Sequence, residues 1–167
     1  MAADPAVLLL HLKLLLLVGV ANGAALFGRT VFRDRFAFPV DAGLTLPDGR
    51  PVFGRSKTLR GLVLALACTP PAAWALGIDA STGFLIGAFA MLGDLTSSFL
   101  KRRLAFPTSS QALGLDQIPE SLFPLLAVRA RYGLSGVEIA LMVLAFLVLE
   151  LAISRLLYRL RLRDQPY

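Results

Sequence analysis

A single cysteine, a single histidine and a thin supply of charge set the first limits on this chain. Cys68 stands alone in an apolar run, so neither an internal disulfide nor a cysteine-based zinc site can form, and it reads as a buried small hydrophobe. His11 lies near one end of the first apolar segment, away from where the polar residues gather. A Ser-His-Asp hydrolase is thereby excluded, and His11 is expected to be packed or interfacial. Charged residues fill only 17% of the 167 positions, against about 25% in ordinary soluble domains. With 56% hydrophobic residues and a mean hydropathy of +0.70, the chain reads as one all-α, polytopic membrane domain over 1–167. The net charge of +6 does not signal nucleic acid, because a soluble nucleic-acid binder is not this apolar. Its cations are instead expected to face anionic lipids or a phosphate-bearing substrate.

Five apolar segments follow one another: Val7 to Phe27, Leu59 to Leu76, Phe84 to Leu100, Ile118 to Val128 and Val137 to Leu157. The first, as a helix of roughly 31 Å, can cross a bilayer. No Lys or Arg precedes it and Lys13 lies within it, so it is expected to be retained as a span and not removed as a signal peptide; Lys13 snorkels outward or faces the bundle. The fourth is short and interrupted by Pro119 and Pro124. It is expected to run from Asp116 to Arg129, kinked and buried among the others. Gly19 with Gly23, and Gly83 with Gly87, have the small-residue spacing that permits close helix approach. Five spans with the N-terminus outside put 14 of the 17 basic residues on the cytoplasmic side, including the loops 28–58 and 101–114 and the tail from Arg155 through Arg159 and Arg161 to Arg163. That tail reads as a headgroup anchor.

Polar residues concentrate at that side. In the third segment Asp94, Ser97, Ser98 and Lys101 recur at helical spacing and share a face carrying an anion, two hydroxyls and a cation. A carboxylate in a span is costly and marks a functional site by default. Such a stripe can hold a divalent metal and the phosphates it bridges. The loop from Gly28 to Thr58 is rich in turn residues, with Asp48-Gly49 suited to a small hairpin, and ends in Gly54-Arg55-Ser56-Lys57-Thr58-Leu59-Arg60-Gly61, where amides and cations can converge on a triphosphate. The spacing of Gly49, Gly54 and Lys57 misses a P-loop by two residues and lacks its strand–loop–helix setting, which rejects an ordinary ATPase. Glu150, with Ser154 one turn on, is expected to be mainly structural.

Taken in order, Asn22-Gly23, Pro39-Val40-Asp41, Asp48-Gly49-Arg50, Gly54-x-x-Lys57-Thr58-x-Arg60-Gly61, Gly93-Asp94-Leu95-x-x-Ser98-Phe99-x-Lys101-Arg102-Arg103-Leu104 and Leu115-Asp116-Gln117 resemble the CDP-archaeol synthase family, integral-membrane relatives of phosphatidate cytidylyltransferase. The resemblance implies a five-helix membrane enzyme in the cytoplasmic membrane that joins CTP to a lipid phosphate, with Mg2+, and releases pyrophosphate. It implies Asp94, Asp116 and Lys101 as catalytic residues, Asp94 and Asp116 as metal-linked carboxylates, and Asn22, Lys57, Thr58, Arg60, Ser97, Ser98, Arg102 and Gln117 as substrate contacts. Where archaeal members tend to carry a second aspartate three residues after the first, this chain has Pro119. Glu120, one place on and four residues from Asp116, is the candidate third metal carboxylate. The expected partners are CTP, a lipid phosphate and membrane lipids, with no nucleic acid; a homodimer is allowed. The other class consistent with the chain is a small non-enzymatic membrane protein, a transporter or assembly factor, but a transporter is expected to show internal repeats and midplane polar residues, and neither is found.

Overall fold

The computed structural model describes residues 4–108, 110 and 112–159, apart from the side chains of residues 157 and 158. Arg161 and Arg163 of the basic tail lie outside the described residues. Five helices follow in order: α1 (Pro5–Phe32), α2 (Leu59–Ala75), α3 (Ala80–Arg103), α4 (Gln117–Tyr132) and α5 (Gly136–Arg159). Their ends obey local chemistry. Asp4 caps α1 ahead of Pro5, Thr58 caps α2 through Gly61 N–H, Asp79 caps α3 through Ser81 N–H, and Gly133 in the left-handed region ends α4. Three of the helices, α1, α3 and α5, are long and apolar enough to cross a membrane, while α2 is an apolar helix of 17 residues. Large apolar side chains such as Leu12, Leu16, Leu141, Leu144 and Val148 stay exposed on the bundle's outer surface. A helix with that surface is built for lipid.

α3 lies between α2 and α4, α1 closes on α2, and α5 packs mainly on α4. Two kinds of packing divide the bundle. Toward the start of α1 the core is bulky, with Leu14, Leu17, Ile86, Leu125, Val128 and Phe146. Toward its end the core is small, with Ala21, Ala65, Ala90 and Met91. Since lipid tails are as apolar as leucine, close backbone contact is what favours association there. Gly93 allows it on α4, where a Cβ would meet the Pro119 carbonyl at 2.2 Å. Gly83, at the bulky end beside Ala73, also lets α2 close in, a Cβ there standing 2.7 Å from the Thr69 carbonyl and Pro70 Cα. Gly19 and Gly23, by contrast, have nothing within 4 Å, so their spacing serves no close approach within the chain.

Cys68 corrects another expectation. It is exposed, because the buried face of α2 runs Gly61, Ala65, Thr69, Ala73 at steps of four and Cys68 falls a residue off that line. The loop between α1 and α2 does form a minimal hairpin: Leu46 N–H donates to the Arg50 carbonyl at 2.9 Å, Val52 N–H to the Leu44 carbonyl at 3.0 Å, and Thr45 bridges Pro51.

Candidate active site

Asp41 organises the approach to the site. Its carboxylate accepts the N–H groups of Gly43, Phe53 and Gly54 at 2.9–3.0 Å. Burial acts to raise its pKa, but these three N–H donors outweigh burial and hold the carboxyl below the usual range. The Gly54 backbone has φ +90°, a conformation that favours glycine, and Lys57 N–H closes the turn onto its carbonyl at 3.1 Å. Val40 N–H then pairs with the Lys57 carbonyl at 2.8 Å. Lys57 therefore projects from a backbone fixed on both sides. Arg103, at the end of α3, fastens the hairpin by donating to Asp48 at 2.5 Å and to the Pro51 carbonyl at 2.6 Å, while Arg50 returns a bond to the Arg103 carbonyl at 2.6 Å. These loop residues build the site without entering it.

What they present is a pair of ion pairs. Lys57 meets Asp94 of α3, and Lys101 of α3 meets Asp116 at 2.6 Å, just before α4. Lys101 also donates to the Ser110 carbonyl at 2.9 Å. The four side chains are 22%, 19%, 8% and 15% exposed in that order, so both pairs sit largely out of water. Buried pairs of this kind are a poor device for stability, because desolvation offsets most of their attraction. Asp94 lies beside Glu120 of α4, at the level where Gly93 meets Pro119, and Glu150 of α5 is near Glu120. Carboxyl groups so close repel unless a cation stands with them, and the Lys57 ammonium on Asp94 is that cation. Burial alone would depress the Lys57 ammonium, but Asp94, Glu120 and Asp116 outweigh it and raise its pKa.

Several expected substrate contacts have other partners. The Thr58 hydroxyl caps α2, accepting from Gly61 N–H at 3.3 Å. Arg60 donates to the carbonyls of Arg33, at 2.8 Å, and Arg35, tying the end of α1 to α2. Ser97 is fully buried and donates to the Asp94 carbonyl at 2.9 Å within its own helix, and Ser98 is 2% exposed. The one-face stripe is thus split, with its two charges in the cluster and its two hydroxyls in the helix packing. Arg102 is buried and holds the Pro107 carbonyl at 2.8 Å and the Thr108 hydroxyl at 3.1 Å, though its Nε has no partner. Asn22 and Gln117 each keep a buried side-chain N–H2 without an acceptor among the described residues. Orphaned donors are costly in an interior and call for an acceptor-rich ligand.

No group of three His, Cys, Asp or Glu close enough to cage a metal occurs among the described residues. The all-oxygen pair Asp94 and Glu120 nevertheless suits a hard divalent cation of the kind held by one or two carboxylates together with substrate phosphates. His11, as expected, is remote from this chemistry and faces Glu138 at 3.3 Å.

Helices built for lipid, with buried carboxylates, ammonium groups and orphaned amide donors gathered at one end, define an intramembrane enzyme that handles phosphates. Comparison with known proteins makes the class specific. The CarS-like model, CDP-archaeol synthase, matches residues 74–167. CDP-archaeol synthase of Pyrobaculum aerophilum is 31% identical over 153 residues, covering 89% of this chain and 92% of the relative. That of Pyrobaculum islandicum is 32% identical over 155 residues with the same coverage, and that of Saccharolobus solfataricus is 36% identical over 121 residues, 66% of each chain. A solved intramembrane enzyme for archaeal membrane lipids biosynthesis superposes with a TM-score of 0.72 at 33% identity, covering 84% of this chain and 90% of that one. The chain belongs to the CDP-archaeol synthase family. It is a membrane transferase of lipid biosynthesis, and the transporter or assembly-factor alternative is not favoured.

Proposed function

We propose that the Asp94, Glu120, Asp116, Lys57 and Lys101 cluster is where this chain transfers the cytidylyl group of CTP to a membrane lipid phosphate. The observation that carries the reading is the double ion pair, Lys57 with Asp94 and Lys101 with Asp116, buried beside the orphaned donors of Gln117. Each ammonium is paired with a carboxylate. An incoming triphosphate offers both ammonium groups better acceptors, releasing Asp94 and Asp116, with Glu120, to hold magnesium. Magnesium, when bound, neutralises phosphate oxygens and draws charge from the leaving group.

A lipid phosphate monoester is already nucleophilic near neutral pH, so the cluster needs no general base. Its oxygen attacks the α-phosphorus of CTP, the new P–O bond forms, the bond from the α-phosphorus to the bridging oxygen breaks, and that oxygen leaves with pyrophosphate. Lys57 and Lys101 hold the phosphates in line and stabilise the charge that develops. Gln117 and Asn22 supply neutral donors to phosphate or ribose oxygens, while Thr58, Arg60, Ser97, Ser98 and Arg102 act by holding the elements in place. The Gly93–Pro119 contact sets Glu120 as the second metal carboxylate in place of an aspartate at 119.

Five membrane crossings with the N-terminus outside would put this cluster, the hairpin and Arg159 at the cytoplasmic face, where CTP is available. Purified protein given labelled CTP, magnesium and a panel of ether- and ester-linked lipid phosphates is expected to form CDP-lipid and pyrophosphate in equal amounts. Asp94→Asn protein that remains folded should form neither; near-normal turnover by it would remove Asp94 from the chemistry.

A further inference from the structure

At the end of the bundle away from the carboxylates, a cavity of about 210 Å³ lies between α1, the turn from α2 to α3 and the end of α4, with Leu9, Leu10, Lys13, Gly77, Asp79 and Tyr132 among its walls. Lys13 is half-buried there, and its Nζ lies 3.9 Å from where a Cβ on Gly77 would stand. An ammonium on an apolar helix is costly unless it reaches water or a counter-ion. Lys13 has no hydrogen bond or ion pair with any described residue.

The charges around it are already committed elsewhere. Asp79 accepts the Ser81 N–H at 2.6 Å as the cap of α3, and its carboxyl is held low by Ser81 first and by the Arg131 charge among further causes. Arg131 donates to the hydroxyls of Ser81 and Thr82 at 2.7 and 2.8 Å. His11 faces Glu138. Arg129 donates to the Leu134 carbonyl at 3.1 Å, so among the cations described at this end Lys13 is the one with no bond to another described residue. The walls on either side of it are apolar, and Leu9 and Leu12 beside it are 54% and 55% exposed on the lipid-facing surface of α1. Helical side chains tilt toward the N-terminus, which lifts this ammonium toward the start of α1, where headgroups lie.

We propose that this cavity seats the headgroup phosphate of an anionic membrane lipid, with Lys13 as its counter-ion, as a binding site separate from the catalytic cluster. Charge complementarity selects an anion. The apolar walls and lateral exposure select one that carries a hydrocarbon chain over a free phosphate ion. A phosphodiester lipid suffices, since no reaction takes place here.

Native mass spectrometry of the full chain, released from nanodiscs containing equal phosphatidylglycerol and phosphatidylcholine, reads the site directly. Wild-type protein is expected to retain one phosphatidylglycerol; Lys13→Met should lower that retention about tenfold relative to phosphatidylcholine, Lys13→Arg should keep it, and CDP-lipid synthesis should stay within twofold for both. Millimolar inorganic phosphate should not displace the lipid. Undiminished phosphatidylglycerol retention by Lys13→Met, equal loss of both lipids, or displacement by inorganic phosphate would each overturn the proposal. Should Lys13→Met fail to fold, Ala6→Phe fills the cavity while leaving the ammonium in place. That variant is expected to lose the lipid in the same way, and retention by folded Ala6→Phe protein would be equally fatal.

Discussion

The two polar ends of this bundle satisfy their charges differently. At the Lys13 end, hydroxyls do the joining: Arg131 bonds Ser81 and Thr82, Tyr132 meets the Thr82 hydroxyl at 3.1 Å, and Glu138 accepts from the N–H and hydroxyl of Ser135. These contacts hold α3 to α4 and cap α5, and they are complete without a ligand. At the Lys57 end, carboxylates crowd one another, ammonium groups are buried, and Asn22, Gln117 and Arg102 keep donors without acceptors. Hydroxyl clamps stabilise modestly and ask for nothing more. Buried ion pairs stabilise poorly but can exchange partners, which suits a site that takes up and releases a polyanion. The core follows the same division, bulky beside the clamps and small beside the ion pairs, where Gly93 lets α4 come close to α3.

If the contrast is sound, removing a carboxylate at the Lys57 end is the most damaging change to activity. Asp94→Asn and Asp116→Asn should each lower CDP-lipid formation by about 10³-fold while the protein keeps its helical circular dichroism, since the shape remains and the charge is lost. Retained activity in either variant would break the comparison at its centre.

Next in size are the ammonium groups. Lys57→Ala and Lys101→Ala are expected to lower turnover by about 10²-fold, the scale of a contact that strengthens in the transition state. Arg159→Ala, at the exposed end of α5, should change it little. Equal mild losses at all three would mean diffuse membrane electrostatics in place of a phosphate cradle. A sharper test concerns Glu120. Glu120→Gln should cost about 10²-fold, and moving the carboxylate in Pro119→Asp/Glu120→Ala should recover part of it if the cluster needs a second carboxylate at this turn of α4. Magnesium-dependent protection from heat should be lost and regained in parallel.

The clamps should behave in the opposite sense. Tyr132→Phe removes one hydrogen bond between α3 and α4 and is expected to lower unfolding free energy in detergent by about 1 kcal/mol with turnover within twofold. A large loss of turnover at unchanged stability would show that the clamps also serve the chemistry. The smallest effect is the pH dependence of the loop. Because the folded-state pKa of Asp41 lies below its ordinary value of 3.8, its stabilisation is fully present above that value and is lost as pH falls through the folded one. Asp41→Asn should therefore lower the melting temperature at pH 7 and narrow its gap from wild type in strong acid; a gap that widens on acidification would refute the assignment.

Hydropathy and helical periodicity located all five helices within a few residues, and the extension of α4 from Gln117 past Val128 to Tyr132 matched the expected run toward Arg129. That Lys57, Asp94, Lys101, Asp116 and Glu120 gather in one cluster could be anticipated, because ionisable groups beside apolar spans are expensive and so draw attention whatever their partners. That Arg60 ties α2 to the end of α1 was not legible, since a basic residue near a glycine looks the same in sequence whatever it bonds. Nothing in the chain's order announced Asp41 as the organiser of the Gly54 turn, a bond across 13 residues. Cys68 turned outward for an equally local reason, the register of Gly61, Ala65, Thr69 and Ala73 against α3.

By itself the sequence determined that this chain lives among lipids, where its helices begin and end, and which residue types can do phosphate chemistry, because transfer energies and capping are properties of short stretches. Only the tertiary structure decided that Lys57 meets Asp94 and Lys101 meets Asp116, that Ser97 turns into its own helix, and that Glu120 reaches Asp94. Those pairings rest on how closely α3 approaches α4, and that distance is set by the missing side chain of Gly93 against the Pro119 carbonyl.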